Sequence, residues 1–266
     1  MSIFSNKQNK LNMTLRNRNI ILPNVITILG LFCGVYSIML SVGSMNIKGD
    51  NFVFAAYLLI LAAFFDGIDG KVARIVNGTS DFGVQLDSLC DMVSFGVAPA
   101  ILVYEWLLKG FGRLGIVAAF FFIASGALRL ARFNVQSGKI SNVYFVGLPI
   151  PAAAAFIATS ILFINELNLD LTKAALSIFF LVSIYVLAFL MVSTVPFFSF
   201  KKFGFFKSHP FQTLVLLLVL ISVLVLYFEI VSFVMIITYI VTGILIAFFR
   251  IFKGKPKEVS TSCEDA

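Results

Sequence analysis

The chain has 266 residues, of which 60% are hydrophobic and 12% charged, with a mean hydropathy of +1.01. Soluble proteins are typically about 45–50% apolar and about 25% charged, so this composition excludes a soluble globular protein and indicates one that spans a membrane several times. The net charge of +7 does not indicate a nucleic-acid partner, because the basic residues cluster beside apolar segments, as in other membrane proteins. The three cysteines lie at unrelated positions and indicate neither a disulfide framework nor a metal site.

Apolar segments recur along the chain at the length of roughly 20 residues that a helix needs to cross a hydrocarbon core. They predict eight transmembrane helices, at about residues 21–43, 51–75, 82–108, 113–135, 147–165, 172–195, 210–228 and 230–252. We therefore expect an all-α, polytopic helical bundle with four parts. These parts are a basic N-terminal segment (1–20), a six-helix core (21–200), a C-terminal helical hairpin (201–252) and a polar tail (253–266).

Basic residues are distributed unequally between the two sides that this helix count defines. If both termini are cytoplasmic, 16 of the 20 lysine and arginine residues lie on the cytoplasmic side, and the others are Lys48, Lys109, Arg113 and Lys173. Because lysine and arginine are enriched in cytoplasmic loops, this bias predicts that both termini are cytoplasmic. It also places the junction of the second and third helices on that side.

That junction contains four aspartates in the segment DGIDGKVARIVNGTSDFGVQLDSLCD, which begins at Asp66. An aspartate near the centre of a membrane helix costs about 2.5–3.5 kcal/mol on insertion scales, so this group requires cations or a water-filled site. Asp66 and Asp69 are three residues apart and share one helix face, and Asp87 and Asp91, four apart, share another. The short loop between the two helices is expected to turn these two pairs of carboxylates towards each other.

Residues near the aspartates indicate what this site binds. Carboxylate ligands favour hard cations such as Mg²⁺ or Mn²⁺, and two such ions can stabilise the attacking and leaving oxygens of a displacement at phosphorus. Gly70 and Ala73 leave space for a large ligand, Arg74 supplies a cation for phosphate, and Ser80 or Asp81 is expected to cap the third helix. A structural polar cluster and an ion or metal transporter are the alternatives, although neither requires this spacing of glycine, alanine and arginine.

The fixed positions of the segment follow the pattern D-x2-D-G-x2-A-R-x8-G-x3-D-x3-D, in which Gly83 is the second glycine. In this pattern the chain closely resembles the CDP-alcohol phosphotransferase family, over about the first 200 residues. The resemblance implies two divalent ions, with Asp66 and Asp87 bridging both, Asp69 binding one and Asp91 binding the other. It also implies that Asp91 is the general base and that the site for the CDP-lipid includes Gly70, Arg74 and Ser80, to which we add Ala73 and Gly83.

Asn24 and Thr27 are further candidates for the CDP-lipid site, because they follow Pro23 at the expected start of the first helix. The N-terminus of a helix attracts phosphate, so these residues could meet the CDP group there. The alternative is that they only cap the helix.

Other stretches indicate which alcohol accepts the transferred group. Four stretches resemble the membrane-type phosphatidylserine synthases of this family, namely LPNVITILGLFCG, DSLCDMVSFGVAPA, ALRLARFN and FVGLPIPAAA. This resemblance implies that the substrates are CDP-diacylglycerol and L-serine. Arg129, Arg132 and Asn134 are candidates for binding the acceptor, since one arginine could hold the serine carboxylate with two parallel hydrogen bonds. The alternative is that both arginines only determine orientation in the membrane.

Several alternatives remain open at the level of sequence. Glycerol 3-phosphate, inositol phosphate or choline could be the acceptor in the same type of reaction, although a phosphorylated acceptor would require additional basic residues in its pocket. We expect an integral protein of the cell inner membrane, embedded in the lipid bilayer, with its active site on the cytoplasmic side. We expect no nucleic-acid partner, and a homodimer is possible.

Overall fold

The computed structural model describes residues 2–43, 50–76, 78, 80–136, 144–167, 172–193, 195–198, 218, 222–223 and 225–252. In this part of the chain the long helical elements are α1 (Ser2–Ser41), α2 (Asn51–Ile75), α3 (Asp81–Asp91), α4 (Ala98–Trp106), α5 (Arg113–Gln136), α6 (Ile150–Glu166), α7 (Lys173–Val192) and α8 (Phe228–Phe252). A π-helical segment (Met92–Val97) joins α3 to α4, and a 3-10 turn (Leu108–Phe111) follows α4. The short strands β1 (Tyr144–Val146) and β2 (Pro196–Phe198) pair with each other.

Six helical segments among the described residues are long and apolar enough to cross a membrane, namely Ile21–Ser41, Asn51–Ile75, Asp81–Trp106, Arg113–Val135, Lys173–Val192 and Phe228–Ile246. They coincide with six of the predicted spans, so the polytopic helical bundle is confirmed. The predicted fifth span corresponds to α6, which has 17 residues and is buried along most of its length. Its short length suits a helix that is surrounded by protein. Most of the predicted seventh span, 210–228, lies outside the described residues.

The first helix differs from its prediction at Pro23. We expected the helix to start there, but α1 continues through Pro23 without interruption. Thr27 Oγ1 lies 3.1 Å from the Pro23 carbonyl oxygen, one turn earlier in the same helix. Asn24 and Thr27 therefore lie inside a continuous helix, and the argument that a helix N-terminus meets phosphate does not apply to them.

The connection that precedes α6 is tied to the end of α7. The strands β1 and β2 form an antiparallel pair in which Tyr144 lies opposite Phe198, and the sequence analysis did not predict this pair. Next to it, the Gly147 backbone N–H donates to the Val195 carbonyl oxygen at 2.8 Å. Gly147 has a φ of +84°, and a Cβ atom there would lie 2.5 Å from the Met191 carbonyl oxygen. Glycine is required at this position both for its backbone conformation and for the close approach.

Helix α1 is central to the packing around the site. Its most extensive contact is with α2, and it also contacts α3, the π-helical segment and α4. Small residues allow the approach to α2, in which Ala55, Ala56 and Ala62 are fully buried. Ser37 Oγ on α1 donates to the Ala55 carbonyl oxygen on α2 at 2.9 Å. Such contacts between small residues are typical of close helix pairs in membranes.

Candidate active site

The aspartate-bearing helices are joined by a short loop whose far end is capped. Helix α2 ends at Ile75, and α3 begins after Ser80, whose Oγ accepts a hydrogen bond from the Gly83 backbone N–H at 3.0 Å. Ser80, and not Asp81, is therefore the N-cap of α3. Since the chain reverses direction here, the end of α2 and the start of α3 lie at the same end of the bundle.

The four carboxylates lie together at this junction. Asp66, Asp69 and Asp87 each offer an oxygen, and these three oxygens lie within 4.8 Å of one another. The carboxyl group of Asp91 is within hydrogen-bonding reach of that of Asp66. All four aspartates line one narrow cavity, together with Thr27, Gly30, Leu31, Ala62, Cys90, Ser94 and Phe95. The structure thus brings the two predicted pairs to one point.

The cluster receives little compensation from neighbouring side chains. Asp69 is buried, and its Oδ2 accepts a hydrogen bond from Thr27 Oγ1 at 2.7 Å. Asp87 Oδ1 is buried and has no hydrogen-bond partner. Within the described ranges the single ion pair is Lys109–Glu105, which involves none of these aspartates. Converging carboxylate oxygens that form no ion pair with lysine or arginine are the ligand set of a hard divalent cation, so the residues fit such an ion.

A second, larger cavity of about 210 Å³ adjoins the carboxylates and opens to the surface. Its lining includes Pro23, Asn24, Thr27, Asp69, Gly70, Ala73, Arg74, Gly78, Ser80, Gly83, Val84 and Asp87. All seven residues that the sequence analysis assigned to the CDP-lipid are among them. Thr27, Asp69 and Asp87 line both cavities, so a ligand in the larger one would directly meet the carboxylates.

The two glycines of the motif have different surroundings in this cavity. A Cβ atom on Gly83 would lie 3.2 Å from both Asn24 Oδ1 and Ser80 Oγ, so a side chain there would press on two polar groups. A Cβ atom on Gly70 would approach only the guanidinium of Arg74, at 3.9 Å. Arg74 itself is exposed, and its Nε donates to the Gly70 carbonyl oxygen at 3.0 Å. Gly70 therefore keeps space free beside a fixed cation.

The three predicted acceptor ligands on α5 do not line either cavity, and they have different partners. Arg132 donates to the carbonyl oxygens of Val192, at 3.1 Å, and Ser193, at 3.4 Å, where α7 ends. Asn134 Nδ2 donates to Ser88 Oγ on α3 at 2.9 Å. Both residues thus connect helices at this end of the bundle.

Arg129 and Arg132 are both half-buried, but Arg129 has different surroundings. Its Nε is buried without a hydrogen-bond partner, and its guanidinium carbon lies 6.0 Å from the centre of the Phe133 ring. It interacts electrostatically with Asp91. Of the two arginines, Arg129 is therefore the one for which an electrostatic interaction with the aspartate cluster is found.

Sequence reasoning missed two serines that lie beside the aspartates. Ser94 lines the carboxylate cavity, and Ser88 links α3 to α5. A signal for Ser94 was available, because Gly30 and Gly34 have the spacing at which two membrane helices come into close contact. The spacing of the glycines does not show that Ser94 is the residue that packs against them.

Sequence comparisons show which known proteins this chain is similar to. A sequence profile described as CDP-alcohol phosphatidyltransferase matches residues 20–185. The chain is 37% identical over 180 residues to the CDP-diacylglycerol–serine O-phosphatidyltransferase of Helicobacter pylori, covering 68% of this chain and 73% of that protein. It is 33% identical over 181 residues to the protein of the same name from Bacillus subtilis, covering 68% and 92%. It is 41% identical over 171 residues to the archaetidylserine synthase of Methanothermobacter thermautotrophicus, covering 62% and 69%.

The carboxylate cluster predicts that the purified protein binds Mn²⁺, used here as a probe for divalent cations. Replacement of Asp87 by Asn should weaken this binding roughly 10-fold or more, or by about 1.4 kcal/mol, because a charged ligand is lost. Electron paramagnetic resonance of free Mn²⁺ measures the affinity. Asp50→Asn is the control, since Asp50 caps α2 by accepting from the Phe52 backbone N–H and Asn caps equally well. An Asp87→Asn protein with the affinity of the parent would contradict the assignment.

Proposed function

The chain belongs to the CDP-alcohol phosphatidyltransferase family, and we propose that it transfers the phosphatidyl group of CDP-diacylglycerol to the hydroxyl group of L-serine. The products are phosphatidylserine and CMP. It is an integral membrane enzyme of phospholipid biosynthesis. The observation that carries the proposal is the adjacency of the two cavities, because Asp69 and Asp87 line both of them, so a CDP group in the larger cavity would lie beside the carboxylates.

The larger cavity supports a binding mode for CDP-diacylglycerol. Gly70 and Ala73 contribute no bulk to its wall, so the pyrophosphate can approach the backbone of α2 closely. Arg74 places a positive charge beside this space and is held by the Gly70 carbonyl group. Asn24 and Ser80 provide polar atoms beside Gly83, where a nucleotide can form hydrogen bonds. The diacylglycerol chains then remain in the bilayer beside the helices.

Two divalent ions, Mg²⁺ or Mn²⁺, would be held by Asp66, Asp69, Asp87 and Asp91. When bound, such ions supply the positive charge that neutralises the pyrophosphate and the charge developing on phosphorus. Thr27 donates a hydrogen bond to Asp69 and thereby holds the orientation of that carboxylate. The roles of Asp66 and Asp87 as ligands shared by both ions stay a prediction.

Asp91 is the proposed general base. As the serine hydroxyl oxygen attacks the phosphorus that carries diacylglycerol, its proton passes to the Asp91 carboxylate. The bond between that phosphorus and the CMP oxygen breaks, and CMP leaves. A carboxylate that also binds an ion is a weak base, so most of the acceleration is expected from positioning of the substrates and from charge stabilisation.

Arg129 is the proposed ligand of the serine carboxylate. Its guanidinium is partly buried, its Nε has no partner and it interacts electrostatically with Asp91. A serine bound there by its carboxylate can direct its hydroxyl towards the general base. Arg132 is less suited to this role, because it already donates hydrogen bonds to the end of α7.

The orientation in the membrane also belongs to the proposal. The unequal distribution of lysine and arginine supports cytoplasmic termini and an active site on the cytoplasmic side of the cell inner membrane. CDP-diacylglycerol and serine are then both available on that side. The possible homodimer stays a prediction.

The first test is a CMP-release assay with a panel of acceptors. Purified enzyme should release CMP from CDP-diacylglycerol with L-serine, but not with glycerol 3-phosphate, inositol phosphate or choline. EDTA should abolish the release, since the carboxylates cannot neutralise the pyrophosphate by themselves, and added Mg²⁺ or Mn²⁺ should restore it. Release with another alcohol only would overturn serine as the acceptor, and no release with any alcohol would overturn the transferase.

The second test compares the two arginines of α5. Arg129→Lys keeps the charge but loses the planar pair of donors, so the KM for serine should rise roughly 10-fold while the KM for CDP-diacylglycerol stays unchanged. Arg132→Lys is the matched control. It should lower the thermal stability, because hydrogen bonds to the end of α7 are lost, and leave the KM for serine unchanged. The reverse result would remove Arg129 from the acceptor site.

The third test concerns orientation and uses single cysteines with an impermeant maleimide. Lys109→Cys, in the exposed turn after α4, should react in right-side-out vesicles. Ile75→Cys, at the exposed end of α2, should react only in inside-out vesicles. Cys33 and Cys90 are buried and can remain, while Cys263, which lies outside the described residues, is replaced by Ser. The opposite labelling pattern would place the active site on the outer side.

A further inference from the structure

We propose that Ser94 and Gly34 form a spacer that sets the distance between the carboxylates of α3 and those of α2. They are positioning residues, because they act on the ion site through the packing of α1 and not by contact with substrate. This inference rests on the proposed function, since it concerns the carboxylate site of that reaction.

Ser94 lies where it can influence the carboxylates. It is in the π-helical segment, three residues after Asp91, and it lines the carboxylate cavity. Its side chain is buried, and its Oγ donates a hydrogen bond to the Gly30 carbonyl oxygen at 3.3 Å. The segment that follows Asp91 is thereby attached to α1.

Gly34 allows the π-helical segment to approach α1 more closely than a residue with a side chain at position 34 would allow. A Cβ atom on Gly34 would lie 2.6 Å from Ser94 Oγ and 2.8 Å from Ser94 Cα. The second distance involves the backbone, so the π-helical segment itself would have to move. By contrast, a Cβ atom on Gly30 would lie 3.6 Å from its nearest neighbours on α2, which is ordinary contact.

The same face of α1 also holds a carboxylate of α2. Thr27, Gly30 and Gly34 are separated by three and four residues, so they lie on one side of the helix. Thr27 donates to Asp69 Oδ2 at 2.7 Å, and one or two turns further along, Gly30 and Gly34 receive Ser94. Helix α1 therefore fixes Asp69 directly, and it fixes the helix of Asp87 and Asp91 through Ser94.

The π-helical segment explains why this attachment is needed. One wide turn adds a residue relative to an α-helix and so rotates the following residues by about 100°. Asp87 and Asp91 can then face the carboxylate cavity while Ala98 and Leu102 of α4 are fully buried. The contact of Ser94 with α1 then holds the position of this wide turn.

The experiment compares Mn²⁺ affinity with thermal stability in Gly34→Ala and Ser94→Ala, using metal-stripped full-length enzyme without substrate. Gly115→Ala is the matched control, because a Cβ atom there would collide with the Leu108 carbonyl oxygen, far along the chain from the aspartates. Electron paramagnetic resonance measures Mn²⁺ binding, and a thermal melt in detergent measures stability.

Gly34→Ala should weaken Mn²⁺ binding roughly 10-fold or more, as expected when a residue that supports metal ligands is changed, and Ser94→Ala should weaken it in the same direction. Gly115→Ala should lower the melting temperature without changing Mn²⁺ affinity. If Gly34→Ala does not fold, Ser94→Ala decides the question. Two results would overturn the spacer. The first is that Ser94→Ala, and Gly34→Ala if it folds, bind Mn²⁺ as tightly as the parent. The second is that Gly115→Ala loses as much Mn²⁺ affinity as they do. A parent enzyme that binds no Mn²⁺ would instead overturn the ion site of the proposed function.

Discussion

Four carboxylates, one of them buried and three half-buried, converge at one point of an apolar helical bundle, and the packing of the surrounding helices follows from this convergence. Each aspartate in such a place costs a few kcal/mol, and no lysine or arginine forms an ion pair with any of them in the described part of the chain. Convergence of their oxygens is unfavourable unless positive charge enters the site. The same arrangement that is costly for folding therefore creates an attractive potential for divalent cations and for the substrate groups that accompany them.

This constraint determines how closely the helices pack. The carboxylates of α2 and α3 meet only because α1 lies against both helices, and Gly34 removes the side chain that would separate α1 from the π-helical segment. A different set of small residues, Gly70 and Ala73, faces the larger cavity and leaves it open. Small residues thus allow close helix contact at Gly34 and leave free volume in the larger cavity at Gly70 and Ala73.

Helix α8 lies beyond the matched family region and is nevertheless part of the bundle. It packs against α6, where the rings of Phe163 and Phe233 stack with their centres 4.3 Å apart. At its start, Glu229 accepts a hydrogen bond from the Tyr57 hydroxyl group of α2 at 2.5 Å. Further along, Tyr239 interacts electrostatically with Arg129. The C-terminal helix therefore supports α6 and also reaches the neighbourhood of the proposed acceptor ligand.

Features that depend on local periodicity could be predicted from the sequence. These features are the apolar spans, the aspartates at helical spacing and the serine at a helix start. The structure has six of the spans, the facing carboxylates and the Ser80 cap where they were expected. Which distant groups become partners depends on how the helices pack. Arg132 caps α7, Ser94 meets Gly34, and Gly147 joins the end of α7, each through a contact between residues at least 44 positions apart. Even the continuation of α1 through Pro23 was not evident from the local pattern, because proline is equally compatible with a helix start. Contacts between distant residues depend on which helices lie side by side, and no local sequence pattern contains that information.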